Sequence, residues 1–173
     1  MTLVPGDPGS LSACAVTTGA AGRRLAAEAG ALGPEVAALG EGWPGRVSAS
    51  MRRRGAALAD AGALVSHELE QVAALLQDQA TDLADLGARA RVLEERAAAA
   101  GLEIRDGHVA SAYGVRGEAD AVTERRQGAA VTGLQAELDL VLAQHRRRRD
   151  FVLGALRESS DRLAALSHDL RRG

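Results

Sequence analysis

A long heptad repeat constrains this chain more than any other feature of its sequence. Between residues 51 and 93, apolar or small side chains recur at alternating spacings of four and three. That spacing puts them on one stripe of a helix and predicts packing against a parallel or antiparallel neighbour. The stripe consists of Met51, Gly55, Leu58, Gly62, Val65, Leu69, Val72, Leu76, Gln79, Leu83, Leu86, Ala90 and Leu93. We therefore predict one helix from about Arg46 to Ala99.

A weaker stripe precedes this helix. It begins after Asp7 and Pro8, a pair typical of a helix start because the carboxylate caps free N–H groups and proline suits the first helical position. Its members are Leu11, Ala15, Thr18, Gly22, Leu25, Ala29, Leu32, Val36 and Leu39. Pro34 lies inside this pattern, and we expect its ring to kink the helix or divide it near Gly33.

A third stripe covers the C-terminal part of the chain and ends near Arg171. Its members are Val131, Leu134, Leu138, Val141, His145, Arg148, Val152, Leu156, Ser159, Leu163, Leu166 and Leu170. The predicted third helix matches the second in length, so we expect the two to run antiparallel. Facing charges favour a register that sets the run 146–149 opposite Glu68 and Glu70.

The segment between the second and third helices contains a hairpin signal. Asp106 and Gly107 are flanked by alternating residues, which predicts a two-residue turn with Ile104 opposite Val109. An irregular loop is the alternative. The predicted fold is all-α, an elongated antiparallel bundle or coiled coil of three long helices with a possible small β-hairpin at 102–111. We expect a helical hairpin over 1–99, a linker or small β-hairpin over 100–117, and a C-terminal helix over 118–173 packed on the second helix.

Composition excludes several classes of protein. Aromatic residues make up 2% of the chain, too few for a sheet core, a base-stacking surface or an aromatic-lined ligand pocket. The formal net charge of -2 argues against a general nucleic-acid binder. We therefore expect no small-molecule substrate.

The chain also lacks recognisable catalytic or metal-binding motifs. Cys14 is the single cysteine, which rules out an intramolecular disulfide or a cysteine-based zinc site. His67 and Glu68 begin like a zinc-protease helix, but Gln71 stands where the second histidine ligand belongs. The sequence predicts no enzyme, no metal and no cofactor.

Neither a membrane span nor an ordinary secretory signal is predicted, because the longest uncharged stretch is rich in Ser, Thr, Gly and Ala rather than Leu. We expect a protein that is cytoplasmic, secreted without a cleaved signal peptide, or both.

Two arginine runs are candidate basic surfaces. The runs are Arg52, Arg53 and Arg54, and Arg146, Arg147, Arg148 and Arg149. The leading interpretation is solvated or salt-bridged faces whose long stems cover apolar surface. An acidic partner protein comes next, and nucleic acid or lipid last.

A Trp-x-Gly turn lies between the first two helices. Gly45 permits a tight turn, and Trp43 is a large side chain suited to closing the end of a bundle of small residues. Together with the opening segment Val4-Pro5-Gly6-Asp7-Pro8, this arrangement resembles the WXG100 (ESAT-6-like) family of actinobacterial type VII secretion proteins over residues 4–95.

That resemblance implies a non-enzymatic helical hairpin that pairs with another helical protein and is exported folded. The chain would be a secreted substrate or a chaperone-like partner of a larger effector, in a homodimer or a heterodimer. Candidate partner-binding residues on the second helix are Leu58, Val65, Leu69, Val72 and Leu76. The family's Tyr-x-x-x-Asp/Glu export signal is not matched, because Tyr113 is followed by Gly117 at the fourth position. The alternative is a cytoplasmic coiled-coil scaffold or adaptor that contacts nucleic acid through its arginine runs.

Overall fold

Helices dominate the computed structural model, which describes residues 3–42, 45–112 and 121–172. The described elements are α1 (Pro8–Gly42), α2 (Arg46–Ala99), β1 (Leu102–Arg105), β2 (His108–Ser111) and α3 (Ala121–Arg172). Helix accounts for 88% of this part of the chain, so the predicted all-α class with a small β-hairpin is confirmed.

The helix boundaries follow the local sequence signals. α1 begins at Pro8 and α2 spans Arg46 to Ala99, both as predicted. We expected Pro34 to kink α1 or to divide it near Gly33, and the division is wrong, since the helix continues through Pro34 to Gly42. Pro34 is exposed. Its ring therefore meets solvent rather than a packed neighbour, and the helix forgoes one backbone hydrogen bond at that point.

The predicted β-hairpin is present in the predicted register. β1 and β2 pair antiparallel, with Ile104 opposite Val109. Asp106 and Gly107 both have positive φ, at 51° and 79°. Positive φ at both central residues is the condition for a type I′ turn, whose twist matches that of the flanking strands. The Asp-Gly pair is therefore what closes this hairpin.

The chain forms two compact units that do not follow chain order. One contains Met1–Pro8 and Gln79–Asp150, and we call it the hairpin unit because it holds both strands. The other contains Gly9–Asp78 and Phe151–Gly173, and we call it the three-helix unit.

In the three-helix unit, α1 and α2 pack antiparallel through small residues. A Cβ added at Gly62 would lie 2.8 Å from the Cβ of Ala29, and one added at Gly55 would overlap Val36. Further along, the Ser66 hydroxyl donates a 2.8 Å hydrogen bond to the carbonyl oxygen of Gly22. The glycines on the predicted stripes thus allow α1 and α2 to approach each other closely.

In the hairpin unit, the two predicted stripes bury each other. Buried members are Leu83, Leu86, Ala90 and Leu93 of α2 and Leu134, Leu138, Val141 and His145 of α3. Leu102 of β1 and Val109 of β2 are also buried, as is Val4 from the N-terminal segment. The hairpin therefore contributes its own apolar side chains to this core.

The register between α2 and α3 differs from the predicted one. Nε of Arg148 lies 2.6 Å from Oδ2 of Asp82, whereas we expected the run 146–149 opposite Glu68 and Glu70. The difference is two heptads along α2. A heptad stripe tolerates such a shift because it returns the same face to the seam.

The hairpin is hydrogen-bonded to α3 in the observed register. Gln135 of α3 accepts a 2.8 Å hydrogen bond from the amide of Val109 and donates one of 3.1 Å to the carbonyl of Gly107. These bonds attach a short connection from the end of α2 to one place on α3. Exposed ion pairs are each worth under about 1 kcal/mol, so the facing charges alone were a weak guide to the register.

Candidate protein-interaction surfaces

The Trp-x-Gly motif lies only partly within the described residues. Trp43 and Pro44 lie outside the described residues. Gly45 has φ at 134°, a backbone conformation that residues with a side chain rarely adopt. Its carbonyl oxygen accepts a 3.0 Å hydrogen bond from the amide of Ala49 and so opens the first turn of α2. The glycine of the motif is therefore required by the backbone.

The predicted partner-binding residues of α2 differ in exposure. Leu58 is exposed, whereas Leu76 is buried within the chain. Val65, Leu69 and Val72 are half-buried. Most of this stripe is thus occupied by intramolecular packing, and Leu58 is its most accessible member. Leu58 lines a depression together with Arg54 and Leu170.

The first arginine run lies in the opening turns of α2. Arg53 and Arg54 are exposed and Arg52 is half-buried. Positive charge at a helix N-terminus is opposed by the helix dipole. The helix dipole therefore does not favour the position of this run.

The second arginine run is partly neutralised by carboxylates. Arg148 pairs with Asp82 at 2.6 Å, at an angle that falls short of a hydrogen bond, and Arg149 pairs with Asp150 at 3.0 Å. Arg146 and Arg147 are exposed. These ion pairs reduce the charge available to a polyanion. The nucleic-acid alternative stays a prediction, with Arg146 and Arg147 as its accessible residues.

An apolar groove of about 620 Å³ lies between α2 and α3 of the hairpin unit. Val92 and Leu140 line it and are 51% and 67% exposed. Leu93 and Val141, both buried seam residues, also line the groove. Large apolar side chains this exposed on opposite helices are a surface that gains from burial by another molecule.

Charged residues border the groove. Arg96 and Glu137 form a bidentate ion pair across it, with N···O distances of 2.5 and 2.8 Å. Hydrogen bonds from Arg96 lower the pKa of the Glu137 carboxyl below its ordinary value. Arg89 donates to the side-chain oxygen of Gln144 at 3.3 Å, and Arg147 also lines the groove. The border thus carries more positive than negative charge.

Sequence reasoning missed this groove because it followed the heptad stripes. Val92 and Leu140 lie off both stripes. Large apolar residues at positions outside a stripe are the signal that would have identified it. Sequence reasoning also missed Gln135. Nothing in the sequence indicates that the side-chain amide of a glutamine next to a seam leucine binds the backbone of the hairpin.

The remaining candidates for chemistry are the side chains of His67, His145 and Cys14. His67 lies 3.0 Å from the Gln71 side chain, one helical turn away, while His145 is buried in the seam. Cys14 is exposed and has a free thiol. Among the described residues, no group of three or more His, Cys, Asp and Glu side chains is arranged to hold a metal ion.

Within residues 3–42, 45–112 and 121–172, no helix is both long enough and apolar enough to span a bilayer. Comparison with known proteins adds no relative: no family model, curated protein or solved structure matches this chain.

Proposed function

We propose that this chain is a non-enzymatic helical interaction protein of a type VII-like secretion system. It acts as an exported substrate or as a chaperone-like partner of a larger effector. The observation that carries the proposal is the antiparallel pairing of α1 and α2, two helices that flank the Trp-x-Gly sequence at 43–45. The proposal also draws on the resemblance of residues 4–95 to WXG100 proteins.

The packing of the three-helix unit supports the helical-hairpin part of this proposal. Its α1–α2 contacts involve glycine, alanine, serine and valine, residues whose small side chains let the two helices approach closely. α3 adds to the same unit through the ion pair of Arg162 with Glu68. In this proposal α3 provides within one chain the packing that WXG100 hairpins obtain by pairing.

Export from an actinobacterial host tests the proposal. The full-length chain, expressed with and without a functional type VII ATPase, is expected in the culture filtrate only when the ATPase is active. Trp43→Ala is expected to reduce export or partner capture, since the motif tryptophan is removed. Val16→Ala, at an exposed position of α1, is the matched control and is expected to behave as wild type.

Two results would contradict the proposal. One is export at equal levels with and without the ATPase. The other is the absence of both ATPase-dependent export and any helical partner after cross-linking in the host.

A further inference from the structure

We propose that the groove of the hairpin unit is the docking site for an acidic amphipathic helix of a partner protein. The inference rests on the proposed function for the existence of a helical partner. It adds where that partner binds and which charge it carries. The occupant is a helix whose apolar stripe is bordered by aspartate or glutamate.

The apolar part of the groove fits the stripe of one helix. Val92 and Leu140 stand on opposite sides with half or more of their surface exposed. The lining residues run from Ala88 to Arg96 on α2 and from Glu137 to Arg147 on α3. At about 1.5 Å per helical residue, this length of 12 to 15 Å corresponds to between two and three turns. Such a stretch accepts apolar anchors at positions i, i+3 or i+4, and i+7 of a docked helix.

The charges at the border select an acidic partner. Arg96 and Glu137 neutralise each other through their bidentate pair. Arg89 is hydrogen-bonded to the neutral Gln144 amide, and Arg147 is an exposed cation at the same border. Two positive charges therefore face a docked helix without an ion pair to a carboxylate among the described residues. Carboxylates beside the partner's apolar stripe would complement both.

The same charges disfavour a second copy of this chain as the occupant. In a two-fold symmetric contact, each groove would meet an identical groove. The excess positive charge of one border would then face that of the other, and like charges across an interface are costly. An acidic helix from a different protein complements the positive charge of the groove border, whereas a second copy of this chain does not.

Two synthetic peptides test the proposal with the full-length chain. Both are amphipathic helices of about 21 residues with leucine at positions a and d; one carries glutamate and the other lysine at e and g. Fluorescence anisotropy at low and high salt measures binding. We expect the glutamate peptide to bind at least about tenfold more tightly than the lysine peptide, with affinity that falls as salt increases.

Variants locate the binding site. Leu140→Glu is expected to weaken binding of the glutamate peptide about tenfold or more, because it puts a carboxylate in the apolar centre. Leu64→Glu is the matched control, an exposed leucine of the three-helix unit. Arg147→Glu is expected to weaken binding of the glutamate peptide and to reduce its salt dependence. Its control is Arg91→Glu, which is expected to have a smaller effect because Arg91 is exposed and does not line the groove. Circular dichroism checks that each variant keeps its helices.

The proposal is overturned by any of three outcomes. They are no binding of the glutamate peptide at about 1 mM, equal binding of both peptides, or equal effects of Leu140→Glu and Leu64→Glu. Light scattering provides a further test, since a homodimer that Leu140→Glu dissociates would make a second copy the occupant. ATPase-dependent export with an unused groove would leave the proposed function standing. Groove binding without such export would leave the docking site standing.

Discussion

Glu68 of α2 and Arg162 of α3 form a bidentate ion pair inside the three-helix unit. Nη2 of Arg162 lies 2.6 Å from Oε1 of Glu68, and Nε lies 3.0 Å from Oε2. The Glu68 side chain is 11% exposed, whereas that of Arg162 is 54% exposed. A carboxylate with little access to water depends on this partner, so the pair favours one register of α3 against α2.

The first prediction concerns the pH dependence of this pair. Hydrogen bonds from Arg162 lower the pKa of the Glu68 carboxyl below its ordinary value of 4.5. The charged form is therefore favoured in the folded state, and its contribution to stability is complete above the ordinary pKa. That contribution is lost as the pH falls through the lowered folded-state pKa.

Glu68→Gln is expected to reduce the free energy of unfolding by about 1 kcal/mol at pH 7, because a charge-assisted bidentate pair is replaced by neutral contacts. Urea titrations between pH 7 and pH 3 measure the difference from wild type, which should shrink in the acid range. Glu70→Gln, at an exposed neighbouring position, is the control. A difference that grows on acidification would contradict the prediction.

The second prediction concerns the close contacts between α1 and α2. Gly62→Ala is expected to lower stability by roughly 1 to 3 kcal/mol, because its Cβ would lie 2.8 Å from that of Ala29 and must displace α1. Gly154→Ala is expected to raise stability by up to about 1 kcal/mol, since the added methyl meets no described atom within 4 Å and alanine favours helix. Thermal unfolding followed by circular dichroism compares the two.

The decisive result is a decrease in stability for Gly62→Ala together with an increase in stability for Gly154→Ala. If both stabilise the chain, helix propensity alone accounts for their effects and the contact between Gly62 and Ala29 does not restrict packing.

The third prediction concerns the attachment of the β-hairpin to α3. Gln135→Leu removes the acceptor for the Val109 amide and the donor to the Gly107 carbonyl. We expect a loss of about 1 to 2 kcal/mol in unfolding free energy. Hydrogen exchange is expected to speed up at the Val109 amide. Gln127→Leu, which removes one bond of 3.3 Å to Ser111, is the control with the smaller expected effect.

Unchanged exchange at Val109 in the Gln135→Leu variant would show that the bond to Gln135 does not protect that amide, which pairs with Ile104 but donates to Gln135. The hairpin would then not be what holds the register of α3.

The fourth prediction concerns the arginine on the α3 stripe. Arg148 is paired with Asp82, and its side chain is 29% exposed. Asp82→Ala alone is expected to destabilise the hairpin unit, because it leaves Arg148 without that partner. Asp82→Ala combined with Arg148→Leu is expected to recover the loss, since apolar replacement of a partly buried ion pair is often neutral or stabilising. Urea unfolding of the single and double variants measures this non-additivity.

Additive effects would contradict the coupling, and they are the outcome expected if the run 146–149 instead faced Glu68 and Glu70. The same experiment therefore distinguishes the observed register from the one that surface charges had suggested.

The sequence by itself determined the helices, the hairpin and the seam of this protein. Pro8 marks the start of α1 because proline lacks an amide hydrogen, and Asp106-Gly107 closes the hairpin because both residues accept positive φ. The stripe from Leu83 to Leu93 is buried as its spacing indicates. These are local properties of the backbone and of helical periodicity, and they need no knowledge of distant residues.

Tertiary structure decided the register, the continuity of α1 and the location of the exposed groove. A heptad stripe looks the same after a shift of two heptads, so periodicity could not place Arg148 beside Asp82. α1 continues through Pro34 although proline removes one backbone hydrogen bond, an outcome that local sequence signals did not predict. Val92 and Leu140 form a groove because α2 and α3 bring them together across the seam. Each of these outcomes depends on contacts between residues far apart in the chain.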